Sequence, residues 1–337
     1  ASKGMMRLLI NEAKTDPRRI LFPEGDRPKI LHAAQHLVDE GIAVPILMGE
    51  EARIRGLAAE LEVDLTGVEL FDPALDVQHS EMVEFLYRRR HRRGVTRAEA
   101  TSILKHRASY AMTMLSSDRV DGVVTGLTKN YSESLVPALD IVGTQKPIER
   151  ALGVYVLFTP SGLKFFADTT VNIDPDADAL AHIAIHTADF ARSFNVLPKI
   201  AMLSYSNFGQ SRHPHARKVA EATRIVKERR PDLVVDGEMQ VDPALDSELR
   251  AGTFDFSTLV DEANILVFPD LNAGNISYKL LAHLGKAEVV GPILLGMNRP
   301  VNVLQRESSV AAIVNLTVIT AVQAQKRLVI DHPEDEP

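Results

Sequence analysis

The segment Pro269-Asp270-Leu271-Asn272-Ala273-Gly274-Asn275-Ile276-Ser277-Tyr278-Lys279 follows an apolar run and opens a helical pattern. Strand ends in open α/β sheets are where ligands bind, and a helix start offers free N–H groups to an anion. Asn272 and Asn275 are also good helix caps, but Asn, Tyr and Lys together at such a place favour a ligand site. The run Arg88-Arg89-Arg90-His91-Arg92-Arg93 ends another helical stretch, where cations suit the helix dipole. One or two of these arginines turned inward would hold a phosphate, because a guanidinium matches two phosphate oxygens at once. Two histidine pairs read as structural. His182 and His186 lie four apart on a helix, but Ile183 stands where a zinc peptidase carries its glutamate. His213-Pro214-His215 reads as a helix start, since no third metal ligand accompanies it. Neither Gly-x-Gly-x-x-Gly nor Gly-x-x-x-x-Gly-Lys occurs, so the chain by itself is expected neither to bind NADP nor to hydrolyse ATP.

The elements that must position these residues alternate. Ile20 to Phe22, Lys29 to Glu40, Ala43 to Leu47 and Glu50 to Glu60 read as strand, helix, strand, helix, the α/β signature of a largely parallel sheet flanked by helices. Pro28 suits a helix start and Gly41 a helix stop. Three helical stretches follow (His79 to Arg93, Thr96 to His106, Arg107 to Ser116), then a strand from Asp121 to Val124 that ends in Thr125 and Gly126. Gly153 to Phe158 and Leu163 to Ala167, joined by Thr159-Pro160-Ser161-Gly162, predict a hairpin forming an antiparallel edge on a second sheet. Strands at 200–204, 233–236, 265–268 and 287–290 follow with intervening helices, and a long helix over 309–325 closes the pattern.

At 337 residues the chain exceeds the size at which single cores usually stop growing, so two lobes are expected. The boundaries read as 19–144 plus 306–330 for one lobe and 145–305 for the other. Ala1 to Pro17 reads as a short helix before the first strand, with residues 1–18 an arm or linker and 331–337 a disordered tail. Ala1 in place of an initiator Met fits a fragment. A net charge of −7 argues against a nucleic-acid binder, because affinity for phosphate backbones comes from summed Lys and Arg charge. The chain has no cysteine, which removes disulfides, thiolate metal sites and a cysteine nucleophile. No apolar stretch is long enough for a secretory leader or a membrane helix, so the expectation is a cytoplasmic protein with no membrane partner.

Phe22-Pro23-Glu24-Gly25, Asp121-Gly122, Asp236-Gly237-Glu238-Met239-Gln240, Asn272 to Lys279 and Gly291-Pro292-Ile293-Leu294 are ordered patterns by which the chain, from about Arg19 to Gln325, resembles the phosphate acetyltransferases. That resemblance implies a dimer with a ligand cleft between two α/β lobes, moving an acetyl group between CoA and phosphate. It further implies a carboxylate that helps ionise the CoA thiol, with an arginine, a serine and a threonine-rich loop holding acetyl phosphate. The chemistry needs both, since a thiol must become thiolate to attack and developing negative charge needs fixed donors.

The chain departs from the pattern where that chemistry is expected. The family's Asp-Leu-Ser-Arg-Gly-x-Ser-x-x-Asp stretch reads here Val303-Leu304-Gln305-Arg306-Glu307-Ser308-Ser309-Val310-Ala311-Ala312. Arg306 survives, Gln305 replaces the serine and Ala312 replaces the base. Asn130 and Tyr131 stand for paired threonines, and Val136 for an arginine. On this ground the chain is similar to the non-catalytic C-terminal part of large NADP-dependent malic enzymes. That likeness implies a regulatory domain with acetyl-CoA as effector, forming a homodimer, with a malic enzyme domain in cis supplying NADP, divalent metal and oxidoreductase activity. Ligand candidates are Arg306, Lys279, Tyr278, Asn275, Asn272, Ser204 and Arg90. The alternative is a working acetyltransferase with a rearranged site, in which Glu307 substitutes for the base.

Overall fold

Ile20, Leu21 and Phe22 have 0% exposure, as a strand covered on both faces must, and they fill the second half of the first strand. The computed structural model describes residues 2–146 and 150–327. Its strands, in chain order, are β1 (Arg18–Phe22), β2 (Ala43–Met48), β3 (Glu69–Phe71), β4 (Gly122–Thr125), β5 (Leu152–Thr159), β6 (Gly162–Ala167), β7 (Lys199–Leu203), β8 (Val234–Met239), β9 (Ile265–Val267), β10 (Glu288–Leu295) and β11 (Val301–Val303). They form two sheets flanked by helices, the expected α/β class. The chain divides into a split unit, Lys3–Gln145 with the chain from Met297, and an inserted unit, Lys146–Gly296. The sequence reading placed the return crossing at 305/306. The structure puts it earlier, because β11 already pairs in the first sheet.

The split unit holds a five-stranded sheet in the order β11-β4-β1-β2-β3, with every pairing parallel. The helix Pro28–Asp39 starts with proline at its first turn and buries Ile30, Leu31, Ala33, Ala34 and Leu37. It packs against the last helix, Val310–Arg327, which also covers β1 and β4. Asn302 in β11 has 0% exposure and donates to Thr320 Oγ1 at 2.8 Å and Gln323 Oε1 at 2.9 Å, fixing that helix to the sheet. The short helix expected before the first strand is Ser2–Thr15, and it packs onto the fold, burying Leu9 and Ala13. Gln325 Nε2 ties it to the last helix by donating to the carbonyls of Glu12 (3.2 Å), Ala13 (3.0 Å) and Asp16 (2.8 Å). The expected tail, 331–337, lies outside the described residues.

The inserted unit holds a six-stranded mixed sheet in the order β10-β5-β6-β9-β7-β8. β6, β9, β7 and β8 run parallel, while β5 and β10 are antiparallel to their neighbours. The predicted hairpin is β5–β6, but it is not the edge, because β10 pairs along β5 over both sides of a bulge between Val290 and Ile293. The long predicted helix over 79–93 stops at Arg90 and continues as a 3₁₀ turn, His91–Arg93, closed by Gly94 at φ +88.

Candidate active site

In the split unit the chain leaves β1 toward the helix Pro28–Asp39 on one side, while β4 returns to β1's other side. This is the point in an open parallel sheet where a crevice opens at the carboxyl ends of the strands. Phe22-Pro23-Glu24-Gly25 leaves β1 there. A Cβ on Gly25 would lie 2.6 Å from Met48 N and 2.8 Å from the Leu47 carbonyl carbon, so only glycine lets this turn pass against β2. Glu24 reaches across to the end of β4. Its Oε1 accepts from Gly126 N at 3.0 Å, and both its oxygens lie 3.3 Å from Thr125 Oγ1, a donor with 1% exposure. Burial pushes the Glu24 carboxyl above its ordinary range, against the pull of these hydrogen bonds and of the Lys129 charge.

The third wall comes from β11. Leu304 N donates to Thr125 O at 2.6 Å, and Gly126, at φ +108, has room for no side chain because a Cβ would lie 2.8 Å from Leu304 O. Beyond Leu304 the chain folds into a tight loop. Gln305 N donates to Ser308 Oγ at 3.1 Å and Ser308 N to Gln305 O at 2.9 Å, while Lys29 Nζ donates to Ser308 O at 3.0 Å. Arg306 and Glu307 stand exposed at its tip. Ser309 Oγ accepts from Ala312 N at 3.1 Å, so position 312 offers a methyl group in the first turn of the last helix. On the far side of Gly126, Asn130 flanks the helix Tyr131–Pro137 and donates to Glu133 Oε1 at 3.2 Å; Tyr131 is half-buried and Val136 exposed.

The arginine run turns inward, but onto backbone. Arg89 donates to the carbonyls of Ile141 (2.8 Å) and Val142 (2.9 Å), and Arg90 to that of Asp140, with its guanidinium 3.5 Å from the Asp140 carboxylate. Both therefore cap the π-helix Ala138–Val142, alongside Ser116 Oγ on Ile141 O (3.4 Å) and Asn298 Nδ2 on Val142 O (3.1 Å). A cavity of about 350 Å³ lies against β3, between Arg19, Glu69, Phe71 and Arg119. Its charged residues are paired, Arg19 with Glu69 and Arg119 with Asp76 at 2.7 Å each, and Asp118 with Arg299 at 3.3 Å.

In the inserted unit the helix Leu271–His283 is capped by Asp270, whose Oδ1 accepts from Ala273 N at 3.0 Å, and by neither asparagine. Asn272 and Lys279 are exposed. Asn275 Nδ2 donates to Thr169 O at 3.1 Å, and Tyr278, 4% exposed, stacks on Tyr155 with ring centroids 3.9 Å apart. Tyr278 thus packs the sheet, in a core cluster with Phe166 and Phe268. Ser204 is half-buried after β7 and accepts from Ser206 N at 3.2 Å. Two buried carboxylates organise these loops: Asp168, outside every pattern noted above, and Glu238, within the Asp236 to Gln240 pattern. Asp168 accepts from Gly153 N (3.0 Å), Thr170 N (2.9 Å), Val171 N (3.1 Å) and both nitrogens of Asn172. Glu238 Oε1 accepts from Ser206 Oγ at 3.0 Å and Gly209 N at 2.6 Å. His182 lies 3.0 Å from Arg229 Nη1, and burial holds His186 below the ordinary imidazole range. His213 flanks the helix Pro214–Arg229 and accepts from His215 N at 3.3 Å. Among the described residues no group of His, Asp and Glu is disposed to hold a metal ion, and no helix is long and apolar enough to cross a membrane.

Residues 4–321 match the family model described as "Phosphate acetyl/butaryl transferase". A phosphate acetyltransferase of Clostridium acetobutylicum is 39% identical over 321 residues, covering 93% of this chain and 96% of the relative. The crystal structure of a phosphotransacetylase from Streptococcus pyogenes superposes with a TM-score of 0.92 at 35% identity, covering 97% of this chain and 99% of that one. An NADP-dependent malic enzyme of Haemophilus influenzae is 38% identical over 325 residues, but the match spans only 43% of its length. These findings overturn the reading of the chain as a non-catalytic regulatory domain of a malic enzyme. Its match covers 96% of the Clostridium acetyltransferase and 43% of the malic enzyme, so the expected NADP, metal and oxidoreductase chemistry loses its basis. Gln305 and Ala312 are local departures within a chain that matches the family over residues 4–321.

Proposed function

The chain belongs to the phosphate acetyl/butaryl transferase family, and from that premise we propose that it transfers an acetyl group between acetyl-CoA and inorganic phosphate. The observation that carries the reading is the 39% identity to a phosphate acetyltransferase across 93% of this chain. The geometry of the split unit supports it. Arg306 stands exposed on a loop braced by Lys29 and Ser308, free to meet a phosphate, beside a crevice bounded by Glu24, Thr125 and Gly126. A guanidinium at such a place binds the phosphoryl oxygens and neutralises charge on the leaving group. Acetyl-CoA and CoA are then substrates.

The test is CoA-dependent turnover of acetyl phosphate, or its arsenolysis, by the purified chain. Turnover is expected, and Arg306→Ala should lower kcat/KM for acetyl phosphate by about 10- to 100-fold, the worth of one charge-assisted contact. A wild-type chain with no turnover in either assay overturns the reading.

A further inference from the structure

A cysteine thiol has a pKa near 8.5 and a plain alkyl thiol ionises higher still, so at neutral pH at most a few per cent is thiolate and its attack on an acyl carbon gains from a proton acceptor. Position 312, where the family pattern would place a carboxylate, is alanine. The split unit must then supply that acceptor from elsewhere, and its carboxylates differ in fitness. Asp26 is spent on two cations, Arg53 at 3.3 Å and Arg107 at 3.0 Å. Asp121 lies at the amino end of β4, where it accepts from Arg19 N at 2.8 Å. Asp140 faces Arg90, and Glu133 is exposed and holds Asn130. Glu307 is exposed at the loop tip.

Glu24 is different on each count. It sits at the carboxyl ends of the strands, at the switch point, and is half-buried, so it is desolvated but open on one side. Two neutral donors, Gly126 N and Thr125 Oγ1, fix its orientation without cancelling its charge. The cation acting on it is Lys129, from the exposed loop after Gly126. Desolvation raises the basicity of a carboxylate in such a setting.

We propose that Glu24 is the proton acceptor of the transfer reaction. The inference rests on the acetyltransferase reading above. Glu24 takes the thiol proton of CoA, and the S–H electron pair stays on sulfur. The thiolate attacks the carbonyl carbon of acetyl phosphate, forming the C–S bond. The C–O bond to phosphorus then breaks, its electron pair leaves with phosphate, and the proton passes from Glu24 to a phosphate oxygen. The reverse reaction retraces these steps.

The experiment compares wild type with Glu24→Gln, in which the amide oxygen still accepts from Gly126 N. With acetyl phosphate and CoA, kcat should fall by about 100- to 10,000-fold, while KM for both substrates stays within about threefold and the urea midpoint is unchanged. The deficit should shrink as pH rises past about 8.5, because thiolate then forms without a base. A purely structural role would give a deficit independent of pH. Glu24→Gln with turnover within threefold of wild type, or with a pH-independent loss, overturns the assignment while leaving the acetyltransferase reading intact. An inactive wild type removes both. If Glu24→Gln does not fold, the wild-type kcat profile decides. An acid limb with an apparent pKa above the ordinary carboxylate value of about 4.3 supports Glu24, and a flat profile overturns it.

Discussion

Replacing Gly126 by alanine tests whether the junction of β4, β11 and Glu24 depends on close backbone approach. Gly94 provides the control, because it lies in the same unit at φ +88 and a Cβ there would meet nothing within 4 Å. Alanine at Gly94 should cost only the left-handed backbone strain, about 1–2 kcal/mol. Alanine at Gly126 carries similar strain at φ +108 and also places its methyl 2.8 Å from Leu304 O and 2.8 Å from Val303 Cγ1. Backbone cannot swing aside as a flexible side chain does, so an overpacking cost of about 1–3 kcal/mol is added. At about 2–4 °C per kcal/mol for a unit of this size, Gly126→Ala should melt about 2–12 °C below Gly94→Ala. The displaced Gly126 N–H and Leu304 would also disturb Glu24 and the Arg306 loop, so acetyl transfer should drop in Gly126→Ala and not in Gly94→Ala. Calorimetry and the turnover assay measure the two effects. Equal melting temperatures, or a Gly126→Ala chain of unaltered activity, would refute the close-approach reasoning.

Arg250, 2% exposed, donates to the carbonyls of Leu259 (2.9 Å), Asp261 (2.7 Å) and Pro243, so Arg250→Met should lower stability by about 2–4 kcal/mol in urea unfolding by leaving them unpaired. Tyr278→Ala should destabilise the chain by about 3–5 kcal/mol through the lost stack on Tyr155, visible as a lower urea midpoint. An unchanged midpoint with weakened CoA affinity would return Tyr278 to the ligand. Burial works to raise the Asp76 carboxyl, but bonds from Arg119, Tyr110 and Gln78 N outweigh it and hold it below its ordinary value. Its folded pKa is thus depressed, so its contribution is full above the unfolded value of about 3.9 and is lost as pH falls through the lower folded value. Asp76→Asn should therefore be less stable than wild type at pH 7, with the gap closing as pH falls below about 3.9 through the lower folded value, followed by circular dichroism.

Where the chain's chemistry is local, the sequence was readable. Pro28 and Gly41 bracket a helix as expected, and the runs at Ile20 to Phe22 and Ala43 to Leu47 are buried strands because parallel strands need apolar residues on both faces. β11 escaped notice because Val301-Asn302-Val303 is short and carries a polar centre, whose burial depends on Thr320 and Gln323 from a distant helix. β10 was cut short because Gly291-Pro292 reads as a break, whereas the sheet passes it with a bulge. The arginine run was legible as inward-turning but not as to its partner, since the π-helix it caps has no sequence signature. Glu24 was in view as part of a family pattern, yet its role could not be read, because its donors come from a strand end about a hundred positions away.

The split unit closes only when the end of the chain arrives. During synthesis β1 to β4 emerge first, and residues 146–296 intervene before β11 can lie beside β4. Until then β4 is paired with β1 on one side and open on the other, the kind of edge that recruits other strands. The inserted unit needs no such wait and can form on the ribosome while the earlier sheet stands open. Such long-range closure slows folding, and any chain released before Val301 would expose that edge permanently, marking it for aggregation or proteolysis.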